Sequence, residues 1–223
     1  MDLPGALEVL STTVISDACD HLGVECKWLS QYLQPTHRKK FWGYADTVQW
    51  SASRKGLDIR ACRGSTWDEI SGFINNISSS TQPKVYIAGC KNISDEYVLL
   101  GGLSLTYIEQ SGYAGVIANG RIRDYEEVAN LTIPIWFTSY GVMDSQGCMV
   151  VSDVGGGCTV NGFHVEQGEI IFGDGNGVLA IPGDVAPRLL RRALEIENIE
   201  SGLILRVKAG ESLPDMIQGG GHI

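Results

Sequence analysis

Gly112-Tyr113-Ala114-Gly115-Val116-Ile117-Ala118-Asn119-Gly120-Arg121-Ile122-Arg123-Asp124 is the stretch whose reading decides the fold. The apolar run from Ala114 to Ala118 reads as a buried strand. Gly120 ends it, and Arg121, Arg123 and Asp124 follow where a helix is expected to start. Charged groups just beyond the C-terminal end of a buried strand mark the usual position of a site in an α/β protein. Arg123 offers a rigid donor fork for a carboxylate or an enolate oxygen. Asp124 offers a hard oxygen ligand or a base. As a bare dipeptide the pair also reads as a surface ion pair at a helix start, where Asp is a common cap.

Working outward, residues 84–90 read as a strand and residues 95–110 as a helix interrupted by Gly101-Gly102. Two adjacent glycines inside a helix cost about 1 kcal/mol each against alanine. They therefore mark a loop, with a helix starting near Leu103 and free N–H groups that favour an anion. A simple packing contact is the alternative. Residues 43–50 read as a strand carrying Tyr44, Thr47, Val48 and Trp50. Ser65-Thr66-Trp67-Asp68 resembles a capping box that opens a helix to about Ile77. Residues 134–138 read as a strand.

Both flanks are helical. Residues 6–22 form two short helices split at Ser11-Thr12-Thr13 and stopped by Gly23. Residues 24–42 are loop-like, with His37-Arg38-Lys39-Lys40 as a solvated run. Residues 149–154, 158–160, 163–165, 169–172 and 178–181 read as strands, with a hairpin turn at Asp174-Gly175-Asn176-Gly177. That turn lacks the remaining spacing and the distal Glu of a calcium loop. A helix over about 184–209, capped by Asp184, would be roughly 36 Å long. That length predicts that part of it packs on a neighbouring subunit. The simplest architecture is a single α/β domain over 1–223, layered, with flanking N- and C-terminal helices.

The chain has 223 residues, a formal net charge of −9 and a pI near 4.9. This acidity argues against nucleic acid or an anionic membrane as partner. Cys19, Cys26, Cys62, Cys90, Cys148 and Cys158 include no C-x-x-C pair, so zinc-ribbon and thioredoxin readings lack support. Cys90 and Cys148 read as small buried hydrophobes. His21, His37, His164 and His222 show no metal-ligand spacing. No signal peptide or membrane-spanning run is seen, and a cytoplasmic protein with reduced thiols is expected.

With these segments placed, the chain resembles the RraA-like family. That family contains metal-dependent 4-hydroxy-4-methyl-2-oxoglutarate / 4-carboxy-4-hydroxy-2-oxoadipate aldolases and the regulator of RNase E activity. The resemblance rests on Gly115 through Asp124, with support from the N-terminal helix at Leu10 to Ala18, the strand at Gly43 to Val48, Gly101-Gly102-Leu103-Ser104, Gly168-Glu169 and Asp174 to Pro182. It implies a swivelling β/β/α-like domain in a homotrimer or homohexamer. It also implies a class II lyase acting on 2-oxo acids through a pyruvate enolate, by retro-aldol cleavage or oxaloacetate decarboxylation. Asp124 would anchor Mg²⁺ or Mn²⁺, mostly through waters. Gly101, Gly102, Leu103 and Ser104 would hold the substrate carboxylate, and Arg123 the enolate oxygen. Glu200 would reach the site of a neighbouring subunit. The chain departs from the family at Gly102, where the bacterial aldolases commonly carry an acid that orders the metal's waters. Two alternatives to the lyase are a non-catalytic regulator of a partner enzyme and the same metal–enolate chemistry on a specialised-pathway substrate.

Overall fold

A computed structural model of the chain describes residues 3–52, 67–91, 94–145 and 148–218. Ser65 and Thr66 of the expected capping box, Cys62 and His222 lie outside these residues. In chain order the elements are helices α1 (Leu3–Val9) and α2 (Thr12–Leu22), then strands β1 (Lys27–Trp28), β2 (Gln34–Pro35) and β3 (Phe41–Ala52). Helix α3 (Trp67–Ile74), strands β4 (Lys84–Cys90) and β5 (Ser94–Leu100) and helix α4 (Gly102–Gln110) follow. Next come β6 (Gly115–Ala118), β7 (Gly120–Ile122), α5 (Tyr125–Ala129) and β8 (Ile135–Phe137). The chain closes with β9 (Met149–Val154), β10 (Cys158–Val160), β11 (Phe163–Val165), β12 (Ile170–Gly173), β13 (Val178–Ile181), α6 (Ala186–Lys208) and α7 (Leu213–Gln218).

Residues 1–26 and 184–223 form one unit and residues 27–183 another. In the first, the Ser11 hydroxyl accepts the Val14 N–H at 3.2 Å and caps α2. Gly23, with φ 63°, ends that helix as expected. Helix α2 packs on α6. Thr12, Val14, Ile15, Ala18 and Cys19 are buried on α2, and Leu189, Leu190, Ala193 and Ile196 on α6. Val185 is the N-cap of α6, and Asp184 gives no side-chain cap. Past Ile196 the apolar positions open to solvent, with Leu205 68% exposed.

In the second unit, the main sheet runs β1-β13-β12-β3-β4-β6-β8-β2, and β9 pairs with the end of β3. Strands β3, β4, β6 and β8 are mutually parallel, and the outer pairings are antiparallel. Strand β4 shows why both faces must be covered. Tyr86 and Ala88 join a core with Leu105, Ile108 and Val128 of the helices, whereas Val85 and Ile87 join one with Cys158, Val160 and Val165 of the β10–β11 hairpin. This gives the β/β/α layering that the resemblance implied. It also explains β3, which lacks a clean alternation: Asp46, Thr47 and Val48 are all buried, and Tyr44 only partly.

Two segments differ from the sequence reading. Residues 95–100, read as helix, lie in strand β5, and Gly120–Ile122, read as the end of a strand and the start of a helix, is strand β7. The two pair in parallel as a small separate sheet, with Leu100 opposite Ile122. Within residues 24–42, β1 and β2 are short edge strands of the main sheet. Among the described residues, no helix is long and apolar enough to cross a membrane.

Asp46, 2% exposed, ties the sheet together. It accepts hydrogen bonds from Asn76 Nδ2 at 3.1 Å, Lys84 Nζ at 3.3 Å, Tyr113 Oη at 2.5 Å and Gln167 Nε2 at 3.1 Å. Burial, then the bond to Asp46, pushes the Tyr113 phenol upward, so it stays a donor. Removing the carboxylate strands these donors together with a partly buried ammonium. Asp46→Ala is therefore expected to lose about 3–5 kcal/mol in urea denaturation. A loss under 1 kcal/mol would show that the network does not support the sheet.

Candidate functional site

The site forms where β5 and β7 end side by side. Each strand runs straight into a helix, so the residues after Leu100 and after Ile122 become neighbours. The ladder extends one step further, because the Arg123 N–H donates to the Leu100 carbonyl at 3.2 Å. Asn119 makes this possible. It is 1% exposed, its N–H donates to the Ala88 carbonyl at 2.9 Å and its side-chain amide to the Cys90 carbonyl at 2.7 Å. The chain is pinned there as it leaves β6 and enters the small sheet.

Asp124 follows in the left-handed region, with φ 66° and ψ 59°. Such a conformation is costly for a residue with a Cβ, and it clusters at functional sites. It turns the carboxylate toward the start of α4, where Asp124 Oδ2 accepts the Gly102 N–H at 2.9 Å. The Gly101 N–H donates to Ser104 Oγ at 3.1 Å, and that hydroxyl donates back to the Gly101 carbonyl at 2.9 Å. Two of the loop's amides are thus already used. Leu103 and Ser104 carry the remaining first-turn N–H groups, which a helix cannot satisfy internally. The Leu103 side chain is 87% exposed.

Arg123 lies between two acids. Its Nε is 3.6 Å from Asp124 Oδ2 and its Nη1 is 3.2 Å from Asp144 Oδ2. Two carboxylates against one guanidinium leave the spot net negative, which suits a cation. Asp144 escaped the sequence reading because it sits in an irregular loop beside Val98, 21 residues from Arg123, with no local motif. Arg121 is on β7 and half-buried, with its stem beneath Gly141.

Gly102 has a steric explanation. A Cβ there would lie 2.9 Å from Glu127 Cβ and 3.0 Å from Asp124 Cβ. Glu127 therefore fills the space that an acid at 102 would need. Its spacing from Asp124, one helical turn later, was the signal available in the sequence. Glu200 lies on α6 in the other unit, and its carboxyl is pushed upward by partial burial, then by Asp17 and Glu197.

Among the described residues, no group of three or more His, Cys, Asp or Glu side chains converges as metal ligands. Asp124 would offer an ion one carboxylate. That fits Mg²⁺ or Mn²⁺ held largely through waters, since Mg²⁺ commonly takes only one or two carboxylates.

A family model described as RraA-like, Aldolase/RraA, matches residues 12–180. The chain belongs to the RraA-like family. This family spans aldolases and non-catalytic RNase E inhibitors. Protein DlpA of Legionella pneumophila is 24% identical over 216 residues, which is 95% of this chain and 33% of DlpA. The chain thus spans about a third of that relative's length. An uncharacterized protein from Pseudomonas syringae pv. tomato has a solved structure with TM-score 0.77 at 19% identity, covering 95% of this chain and 96% of that one. RraAS2 of Streptomyces coelicolor, an unusual member of the RNase ES inhibitor RraA protein family, gives TM-score 0.71 at 21% identity over 88% of this chain and 92% of its own. At these identities the structural likeness establishes the RraA-like fold alone.

Two stability measurements test this geometry. Asp124→Gly is expected to be more stable than Asp124→Ala by about 1 kcal/mol, because only alanine keeps the left-handed cost while both lose the carboxylate. Equal unfolding midpoints would mean that residue 124 is unstrained. Gly102→Ala is expected to lose about 1–3 kcal/mol through overpacking against α5. An unchanged midpoint would mean that the two helices separate freely.

Proposed function

We propose that the protein is a divalent-metal-dependent lyase that cleaves 2-oxo acids through a pyruvate enolate, by retro-aldol cleavage of 4-hydroxy-2-oxo acids or by decarboxylation of oxaloacetate. The observation that carries this reading is Asp124, held left-handed beside Arg123 at the C-terminal ends of a parallel strand pair. Asp124 holds Mg²⁺ or Mn²⁺. An ion held there would supply a Lewis acid to a 2-oxo acid.

The remaining roles belong to the chain. The Leu103 and Ser104 N–H groups at the start of α4, in the Gly101–Ser104 loop, bind the substrate carboxylate. Arg123 is oriented by Asp124 and Asp144 through Nε and Nη1, which leaves Nη2 to face the oxygen that becomes an enolate. A donor fixed before the charge develops stabilises the transition state more than the ground state. Glu200 of a second copy of the chain supplies an acid near the reacting hydroxyl. Partial burial, then Asp17 and Glu197, raise its affinity for a proton, the direction a general acid needs. The exposed Ile199, Ile204, Leu205 and Val207 on the same helix give that copy an apolar surface to cover, in a homotrimer or homohexamer. No Schiff-base lysine is needed.

A second reading, a non-catalytic regulator of a partner enzyme, is favoured by one observation. Asp124 Oδ2 already accepts the Gly102 N–H, so it can be read simply as the cap of α4. Pyruvate release from oxaloacetate and from 4-hydroxy-4-methyl-2-oxoglutarate, with and without Mg²⁺ or Mn²⁺, separates the two. Metal-dependent turnover is expected. Asp124→Ala and Asp124→Gly should both abolish it, and Arg123→Lys should lower kcat by about 10²–10³. Full activity in excess chelator would reject the metal dependence on which this reading rests. No turnover on either substrate, together with capture of a partner enzyme, would establish the regulator. Metal-dependent enolate formation on other 2-oxo acids alone would point to a specialised substrate.

A further inference from the structure

The C-terminal end of α2 carries a feature that the proposed chemistry does not use. Gly23 lets the chain reverse: the Val24 N–H donates to the Cys19 carbonyl at 3.0 Å and the Gly23 N–H to the Asp20 carbonyl at 3.3 Å. This is the paired 6→1 and 5→2 arrangement of a Schellman cap. The reversal carries Cys26 back over the last turn of α2, beside the Cys19 thiol and Ser16. Ser16 and Cys19 are three residues apart, so both project from one helix face toward Cys26. The partners differ in exposure. Cys19 is 3% exposed and Cys26 is half-buried. Both are free thiols.

We propose that Cys19 and Cys26 form a reversible dithiol/disulfide site, oxidised by hydroperoxides, with Cys26 as the thiolate that reacts first and Cys19 as the thiol that resolves it. Which sulfur leads follows from exposure and hydrogen bonding. The Cys19 thiol hydrogen bond is the largest influence on Cys26; with the Ser16 hydrogen bond it outweighs burial and the Asp20 charge and lowers Cys26 to about 7. Cys19 is pushed upward by the same pairing, by burial and by Asp20, so it keeps its proton. A thiolate that is partly exposed and next to a resolving cysteine is the arrangement that favours sulfenic acid formation followed by a disulfide.

The steps balance. The Cys26 thiolate attacks the distal oxygen of a hydroperoxide, the O–O bond breaks, and Cys26–SOH and an alkoxide or hydroxide form. The Cys19 sulfur then attacks the Cys26 sulfur and gives up its proton as the S–S bond forms. The S–O bond breaks, and hydroxide leaves as water with that proton. The two thiols together lose two electrons, which reduce the peroxide. A dithiol reductant reverses the change by exchange. A reversible bond of this kind suits a reducing compartment, where disulfides are transient.

The full chain is treated with about one equivalent of hydrogen peroxide, and its thiols are mapped by alkylation and peptide mass spectrometry. Expected is loss of two of the six thiols, a peptide crosslink joining residues 19 and 26, and full recovery with dithiothreitol. Cys19→Ser should leave a Cys26 sulfenic acid that dimedone captures, and Cys26→Ser should leave Cys19 unmodified. These variants are read only where their circular dichroism matches the parent. The wild-type map decides by itself: oxidation of Cys148 or Cys62 ahead of Cys26, or no 19–26 crosslink at full peroxide consumption, overturns the proposal. Pyruvate release has no part in this measurement, so its outcome stands apart from that of the lyase reading.

Discussion

Everything that can be said about chemistry here depends on a short parallel pairing, Leu100 against Ile122. A parallel pair has both C-terminal ends on the same side. When each strand is followed at once by a helix, two helix starts and their preceding loops converge. In this chain that places Gly101 and Gly102 against Arg123 and Asp124. The pair is too small to stand alone, since two strands are marginal without a core. Its stability comes from Leu99, Leu100 and Ile122, all buried in the core beneath the helices. Packing of ordinary apolar side chains therefore sets the position of the charged ones.

The same pairing marks where sequence reasoning succeeds and where it fails. Helix caps are local, and they were legible: Ser11 caps α2, Gly23 ends it, and the Asp174 turn closes the β12–β13 hairpin through its own Asn176 N–H. Strands buried on both faces were legible as apolar runs, as at β4 and β6. Strand β5 was not. Tyr97-Val98-Leu99-Leu100 is a short apolar run that fits a helix or a strand equally well. What makes it a strand is β7, about twenty residues later, and that partner has no local signature. Asp144 failed for the same reason. Only the return of a distant loop beside Val98 brings it to Arg123. The Arg-Asp motif marked the position of the candidate site, while its surroundings were fixed by tertiary contacts.

Gly102 shows how a departure from a family pattern can be a packing fact. An acid in that place and Glu127 on α5 would compete for one volume, because the two Cβ positions lie 2.9 Å apart. The approach of the α4 start to α5 admits one of them. The negative charge around Asp124 is then supplied from α5 and from Asp144 rather than from α4.

Stability alone does not account for an aspartate at 124. Its pairing with Arg123 is between side chains 42% and 37% exposed, and such pairs contribute about 0–1 kcal/mol. Its bond to the Gly102 N–H adds about 1 kcal/mol, as a cap does. Against these stands a left-handed backbone that costs a residue with a Cβ about 1–2 kcal/mol. The sum is close to zero, and a glycine would fold there as well without the strain. What glycine lacks is a carboxylate oxygen, fixed in direction by that backbone and set beside a guanidinium.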